Sequence, residues 1–184
     1  MPDATPPRSD RPTRPGAEGG AAPVDLQNVD FHEIARRGDA EVLAVFLDAG
    51  LDPDLANGRG HTLLMVAAYN DQREAVDLLL ERGADVDAPD AAGNTPLAGL
   101  CFKGYADTAE RLIAGGADVE ARNGSGTTPL QMAVTFGPPE MVALLLAHGA
   151  DPAAVDGAGR SALDLARAHG RADVVALLEA GGAA

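Results

Sequence analysis

Residues 93–122 read GNTPLAGLCFKGYADTAERLIAGGADVEAR, and residues 126–155 read GTTPLQMAVTFGPPEMVALLLAHGADPAAV. The two stretches align without a gap at a spacing of 33 residues. The same spacing separates glycines and aspartates along the chain: Gly60, Gly93, Gly126 and Gly159; Gly50, Gly83, Gly116, Gly149 and Gly182; Asp52, Asp85, Asp118 and Asp151. A fixed period of this length predicts an array of structural repeats.

The unit at 90–122 contains the signals for two short helices separated by a glycine. Thr95 supplies the side-chain oxygen of a helix N-cap, and Pro96 fills the first helical position, where its missing N–H costs nothing. Gly104 ends this helix, and a second helix is predicted over 106–114, before the next pair of glycines. Two helices of this length cannot bury an apolar face alone, so we expect the units to stack into a continuous core.

The quoted stretches resemble the ankyrin repeat, whose pattern G-x-T-P-L-H-x-A-A-x-x-G is followed by an apolar pair and by G-A-D-V-N-A. The resemblance covers about 26–184 in five units, at about 26–56, 57–89, 90–122, 123–155 and 156–184. It implies an all-α ankyrin-repeat solenoid of stacked helix-turn-helix units with projecting loops. In that fold the loop tips and the first helices form a concave face that typically binds another protein. The composition, rich in Ala, Arg and Asp with a single Lys, is typical of a small bacterial member.

The units depart from the family pattern at several positions. The family's histidine near the start of the first helix is present only as His32, and the corresponding residues are Met65, Ala98, Gln131 and Asp164. We expect other caps or plain packing to substitute there. Gly99 lies inside a predicted helix, where glycine costs about 0.5–1 kcal/mol relative to alanine. Gly99→Ala is therefore expected to stabilise the protein if the backbone at this position is helical.

Residues 1–25 differ in composition from the repeats. They hold six of the 13 prolines and three arginines, and Val24 is their only large apolar residue after Met1. A segment of this kind cannot bury enough apolar surface to offset its ordering entropy. We therefore expect a disordered Pro/Gly/Arg-rich leader ahead of the repeat domain at 26–184.

The charge and composition argue against several classes of function. The net charge is −14 and the sequence pI is about 4.4, whereas binding to nucleic acid or anionic lipid needs clustered Lys and Arg. No apolar run reaches the roughly 18 residues of a transmembrane helix, and no signal peptide is evident. We expect a cytoplasmic protein that is a monomer on its own and binds neither nucleic acid nor membrane.

The residues that carry catalytic or metal chemistry are scattered over the units. The four histidines occupy different repeat positions, so we expect no metal site: His32, His61, His148 and His169. Cys101 falls in a packing slot of a first helix, which predicts a buried, inert thiol. No GxxxxGK[ST] phosphate-binding loop occurs. The sequence therefore indicates no cofactor and no catalytic activity.

Aromatic residues are scarce, and three of the six fall just before the glycine slot that ends a first helix: Tyr69, Phe102 and Phe136. In the family these slots are variable and face the concave side, so we predict a partner site there. Basic residues on or near the same face complete the predicted site: Arg36, Arg37, Arg59, Lys103, Arg160 and His169. The alternative is that the aromatic rings only cover the helix of a neighbouring unit.

These observations predict a non-catalytic protein–protein interaction module that uses its concave face and loop tips. An accessory or regulator of an enzyme is a specific form of this hypothesis. The alternative is a small-molecule or ion-binding protein without catalysis, which needs a convergent polar pocket. Asp54, Asp87 and Glu120 occupy slots where the family prefers asparagine. This acidic edge either steers a basic partner or keeps the loops well solvated.

Overall fold

Residues 29–181 are described by the computed structural model, and they form ten α-helices and no β-strand. The helices are α1 (Phe31–Arg37), α2 (Ala40–Asp48), α3 (Leu63–Tyr69), α4 (Arg73–Glu81), α5 (Pro96–Lys103), α6 (Ala106–Ala114), α7 (Pro129–Phe136), α8 (Pro139–Ala147), α9 (Ala162–Ala168) and α10 (Ala172–Gly181). The predicted all-α class is confirmed over this range. The predicted leader, 1–25, lies outside the described residues.

The helices form pairs that stack side by side along the chain. Each first helix (α1, α3, α5, α7 and α9) packs on the first helix of the next unit, and each second helix packs on the next second helix. The first helices contact one another more extensively than the second helices do. We call the solvent-exposed side of the first helices the concave face.

Local capping residues define the helix ends as the sequence predicts. In the third unit, the Thr95 hydroxyl accepts the backbone N–H of Ala98 at 3.3 Å, and Pro96 is the first residue of α5. Gly104 follows α5 with a φ of 76°, a left-handed conformation that favours glycine. The second helix of this unit spans Ala106–Ala114. The predicted bounds of both helices are confirmed.

Apolar side chains form one core that runs through all five units. The second helices contribute the same position in four units, fully or almost fully buried: Leu79, Leu112, Leu145 and Leu178. Phe46 holds this position in the first unit and packs edge-on against Phe31, with 5.1 Å between the ring centroids. Both rings are only half-buried. They remain partly exposed because no unit precedes α1 within residues 29–181.

In two units, the residue in the family's histidine slot forms a hydrogen bond to the next unit. In the first unit, His32 Nε2 lies 3.0 Å from the backbone carbonyl of His61, which it meets as a hydrogen-bond donor. In the fourth unit, Gln131 Nε2 donates to the equivalent carbonyl of Arg160 at 3.0 Å and to that of Ala154 at 2.9 Å. A glutamine thus makes the same inter-unit hydrogen bond that the histidine makes.

The other three units use packing or capping at this slot. Met65 and Ala98 are buried among apolar neighbours. Asp164 forms a capping box with Ser161, and its carboxylate accepts the Ser161 backbone N–H at 2.9 Å. The prediction that other caps or plain packing substitute for histidine is confirmed.

The loops between units are joined by backbone hydrogen bonds. The same bond recurs in three successive loops: Ala91 N to Arg59 O (3.1 Å), Gly124 N to Ala92 O (3.0 Å) and Gly157 N to Ser125 O (3.0 Å). Gly93 permits this approach, because its φ is 81° and an added Cβ would lie 2.7 Å from the backbone nitrogen of Gly124. The loops therefore form one connected row.

Candidate partner-binding site

Three aromatic side chains project from the concave face, and we call Tyr69, Phe102 and Phe136 the aromatic ladder. They lie at the C-terminal ends of α3, α5 and α7 and are 40%, 53% and 58% exposed. The Phe102 and Phe136 rings are tilted by 57°, with 5.8 Å between their centroids. More than half of each phenylalanine contacts solvent, so these two rings are accessible to a partner.

Lys103, in the third unit, contacts the aromatic ladder at Tyr69, in the second unit. Its ammonium nitrogen lies 5.3 Å from the centroid of the Tyr69 ring, within range of a cation–π interaction. Lys103 is exposed, and no carboxylate of residues 29–181 lies within ion-pair distance of its ammonium group. Its charge is therefore available to a partner.

Arg36 and Arg37 lie at the C-terminal end of α1 and share one carboxylate. Arg37 Nε donates to Glu33 Oε1 at 2.9 Å, and Arg36 pairs with the other oxygen of the same group. Hydrogen bonds from Arg36 and then Arg37 lower the pKa of Glu33. Arg36 and Arg37 thus share one carboxylate, and both side chains remain more than half exposed.

Arg160 is engaged within its own loop. Its guanidinium donates to Asp156 Oδ2 from Nε at 2.9 Å and from Nη2 at 2.7 Å. The Arg160 backbone N–H donates to Asp156 Oδ1 at 2.9 Å, and hydrogen bonds from the backbone and then the side chain of Arg160 lower the pKa of Asp156. Arg59 is exposed in an earlier loop, and His169 is the exposed residue after α9. Most of the predicted basic residues are thus accessible, whereas Arg160 stabilises its own loop.

A cavity of about 290 Å³ lies beside the aromatic ladder, and the sequence did not lead us to expect it. Met65, Tyr69, Gly99 and Met132 line its apolar part, and Asp90 lies at its polar end. We call this cavity the socket. The signal that could have revealed it is Gly99, because the equivalent residues of the other units all carry larger side chains: Glu33, Val66, Met132 and Leu165.

Gly99 lies within α5, so the condition for the predicted stabilisation by Gly99→Ala is met. However, the Tyr69 ring occupies the space that the alanine side chain would need. A Cβ added to Gly99 would lie 2.5 Å from Cε2 of Tyr69. Gly99→Ala therefore has to displace the Tyr69 ring, which opposes the gain in helix propensity. Helix propensity alone does not determine the effect of this substitution.

The acidic edge has a structural role in addition to its charge. The carboxylates of Asp54, Asp87 and Glu120 each accept a backbone N–H from the next unit, at distances of 2.7, 3.1 and 2.7 Å. The donors are the regularly spaced aspartates Asp85, Asp118 and Asp151. Each carboxylate thus links two units. Burial raises the pKa of Asp87, and the nearby charges of Asp118 and Asp85 act in the same direction.

We expect Asp87→Asn to raise the free energy of unfolding at neutral pH by a few tenths of a kcal/mol. The asparagine oxygen can still accept the Asp118 N–H, while the repulsion between like charges is lost. Because the folded-state pKa of Asp87 is raised above 3.8, its ionisation lowers stability at neutral pH, and this loss disappears as the pH falls through that pKa. Urea denaturation of both proteins at neutral and acidic pH measures the difference.

The matched control for this prediction is Asp156→Asn. The pKa of Asp156 is lowered, so its ionised form stabilises the fold above the unfolded-state pKa, and this contribution is lost as the pH falls through the folded-state pKa. We expect the control to destabilise the protein at neutral pH. A loss of stability in Asp87→Asn of the same sign would contradict the proposed repulsion along the acidic edge.

Other chemistry in the described part of the chain is limited. No group of three or more His, Cys, Asp or Glu residues within 29–181 is arranged to hold a metal ion. Cys101 is fully buried, and burial raises the pKa of its thiol to about 12, so the thiolate needed for nucleophilic attack does not form near neutral pH. Over the same residues, no helix is both long enough and apolar enough to span a membrane.

Comparison with known proteins identifies the repeats. The family model described as "Ankyrin repeats (3 copies)" matches residues 31–123 and again 98–183, which together cover most of the chain. A search of curated proteins found no match. Ankyrin repeats are generally protein–protein interaction modules, and proteins built from them are typically non-catalytic. The chain belongs to the ankyrin-repeat family.

Proposed function

We propose that this protein binds another protein through its concave face and loop tips, with the aromatic ladder at the centre of the contact. The observation that carries the proposal is the exposure of Phe102 and Phe136, each more than half exposed, in a chain with only six aromatic residues. Aromatic residues supply a disproportionate share of the binding energy at protein interfaces. Exposing two of them side by side is unfavourable unless a partner covers them.

The charges around the aromatic ladder support the same proposal. Arg36 occupies in α1 the repeat position that Tyr69 occupies in α3, with Arg37 beside it in the chain, and Lys103 lies over the Tyr69 ring. Arg59, which is exposed, extends the predicted contact to a loop tip. A finer proposal is that the partner is an enzyme, which this protein assists or regulates in the cytoplasm, and that the protein is monomeric before it binds. This finer proposal rests on the interaction role of the family and on no particular residue of the site.

The experiment is capture of a partner from the native cell extract, with identification by mass spectrometry. The wild-type chain is compared with a triple variant carrying Tyr69→Ala, Phe102→Ala and Phe136→Ala. We expect the triple variant to lose the captured partner, because about 2 kcal/mol or more can be lost at each interface hot spot. Thermal unfolding of the two proteins is measured in parallel. We expect a modest fall in melting temperature that comes mainly from Tyr69, because Phe102 and Phe136 are more than half exposed whereas Tyr69 is 40% exposed and packs on Gly99.

Val45→Ala is the matched control, because Val45 is 66% exposed and lies on α2, away from the concave face. It should retain the partner. Undiminished capture by the triple variant would rule out the aromatic ladder as the site, and a large fall in its melting temperature would reassign the rings to the core.

The alternative, a small-molecule-binding protein, would place its ligand in the socket. Small-molecule sites usually enclose about 300–1,000 Å³, and the socket is at the lower end of that range. Its one carboxylate, Asp90, is held by the backbone N–H groups of Ala92 and Asn94, so the socket does not offer the convergent polar groups that fix a small ligand. The geometry therefore favours protein binding.

A further inference from the structure

Gly99 leaves out a side chain that the other units have. In its absence, the Tyr69 ring lies against the backbone of α5, with Cε2 only 2.5 Å from the position that a Cβ would occupy. Gly99 and the Tyr69 ring both line the socket, with Met65 and Met132 on its other walls. A cavity of about 290 Å³ with these walls accommodates one large apolar side chain.

The rim of the socket carries cations and hydrogen-bond donors. Arg36 and His61 line it, and Lys103 lies over the Tyr69 ring. Burial, with the charge of Asp90 adding to it, raises the pKa of Tyr69, so its hydroxyl stays protonated and can donate. Arg36, Lys103 and the Tyr69 hydroxyl are complementary to an acceptor or an anion, whereas His61 Nε2 already lies 4.0 Å from Asp90 Oδ2.

The one carboxylate that lines the socket, Asp90, is already bound within its own loop. It accepts the backbone N–H groups of Ala92 and Asn94, both at 2.8 Å, and the Asn94 side-chain amide at 3.2 Å. It therefore presents little free capacity to a ligand. The concave face beside it carries Arg36, Arg37 and Lys103 on a chain whose net charge is −14.

We propose that the socket receives one apolar side chain of an acidic partner segment, and that a neighbouring carboxylate of that segment pairs with Arg36 or Lys103. This inference rests on the proposed function and adds the chemical class of the partner. The apolar walls select the anchor side chain, and the cationic rim selects the charge of the residues that flank it.

The methionines of the chain allow a direct test of the socket. The full chain has four methionines, of which Met65 and Met132 line the socket. Met141 is fully buried in α8 and serves as the internal control. The protein is labelled with ¹³C at the methionine methyl groups and titrated with a synthetic peptide rich in Asp and Glu that has one central Phe. Two control peptides replace the Phe with Ala or the acidic residues with Lys.

We expect the acidic Phe peptide to shift the Met65 and Met132 signals and to leave the Met141 signal in place. Each control peptide should bind about tenfold more weakly. Gly99→Val restores the side chain that Val66 provides in the second unit, and it should weaken binding of the acidic Phe peptide by about tenfold. Circular dichroism checks the fold of this variant, and the peptide comparison on the wild-type chain does not depend on it.

Three outcomes would overturn the socket proposal: no binding of the acidic Phe peptide, equal binding of the Phe and Ala peptides, or unmoved Met65 and Met132 signals in the bound state. The proposed function is judged separately, by loss of the captured partner in the triple variant of the aromatic ladder. A partner that is lost by the triple variant but retained by Gly99→Val would leave the concave-face site intact and refute the socket alone.

Discussion

Gln131→Leu should lower the free energy of unfolding by about 2–4 kcal/mol, although leucine has a similar size. Gln131 is 1% exposed, and its amide oxygen accepts the Thr128 backbone N–H at 2.9 Å. Its amide nitrogen donates to the carbonyls of Ala154 and Arg160, both in the following loop. Leucine leaves the Thr128 N–H and the Ala154 carbonyl without this partner, whereas the Arg160 carbonyl still accepts the Asp156 backbone N–H at 3.0 Å. Burying an unsatisfied polar group typically costs about 1–3 kcal/mol. Urea denaturation at neutral pH measures the loss.

Gln131→His is the matched control for this prediction. His32 makes the equivalent bond to the carbonyl of His61 in the first unit, so histidine fits this slot in the same chain. We expect it to recover part of the stability lost in Gln131→Leu. If the leucine and histidine variants were equally stable, the inter-unit hydrogen bonds of Gln131 would contribute nothing measurable.

Gly137→Ala should destabilise the protein by about 2–3 kcal/mol through a direct steric clash. A Cβ on Gly137 would lie 2.3 Å from the backbone oxygen of Cys101 in the preceding unit, and neither backbone can move freely. The backbone of Gly137 has φ −90° and ψ 170°, which alanine adopts without strain. The closest contact is with the preceding unit, and Ala133 O of the same unit follows at 3.0 Å, so the expected loss measures mainly inter-unit packing. Thermal or urea unfolding detects it.

Gly58→Ala is the control that separates the steric clash from the general effect of replacing a glycine with alanine. Gly58 has no heavy atom within 4 Å of an added Cβ, and its φ lies outside the left-handed region. We expect its stability to stay close to that of the wild type. A Gly137→Ala variant as stable as Gly58→Ala would show that α7 and α5 can separate without cost.

The different conformation of Gly137 has a local cause. In the same slot, Gly38, Gly104 and Gly170 are left-handed, with φ between 66° and 76°. Gly137 precedes Pro138, and a residue before proline favours extended backbone. The other glycines of this slot are needed because they adopt a left-handed conformation. Gly137, which precedes Pro138, is instead needed because its backbone lies in close contact with the neighbouring unit.

The candidate site was predictable in part. The positions of Tyr69, Phe102 and Phe136 followed from their place before a repeated glycine slot, because that slot recurs at a fixed point of each helix pair. The ion pair between Arg160 and Asp156 did not follow, since repeat position says nothing about which rotamer a side chain adopts. Helix propensity predicts only that Gly99 weakens its helix, whereas the structure shows the Tyr69 ring packed against Gly99 and both residues lining the socket.

The repeat, its helix pairs and their ends were predictable from the sequence, because Thr-Pro caps and terminal glycines act within a few residues of one another and recur every 33 residues. The effect of each departure from the pattern depends instead on contacts between units. Gln131 can replace a histidine because the Arg160 carbonyl, 29 residues away, lies within 3.0 Å. Gly99 is matched to Tyr69, one unit earlier, because the Tyr69 ring packs over it beside the socket. Such contacts join neighbouring units across a whole repeat, and local sequence signals do not extend that far.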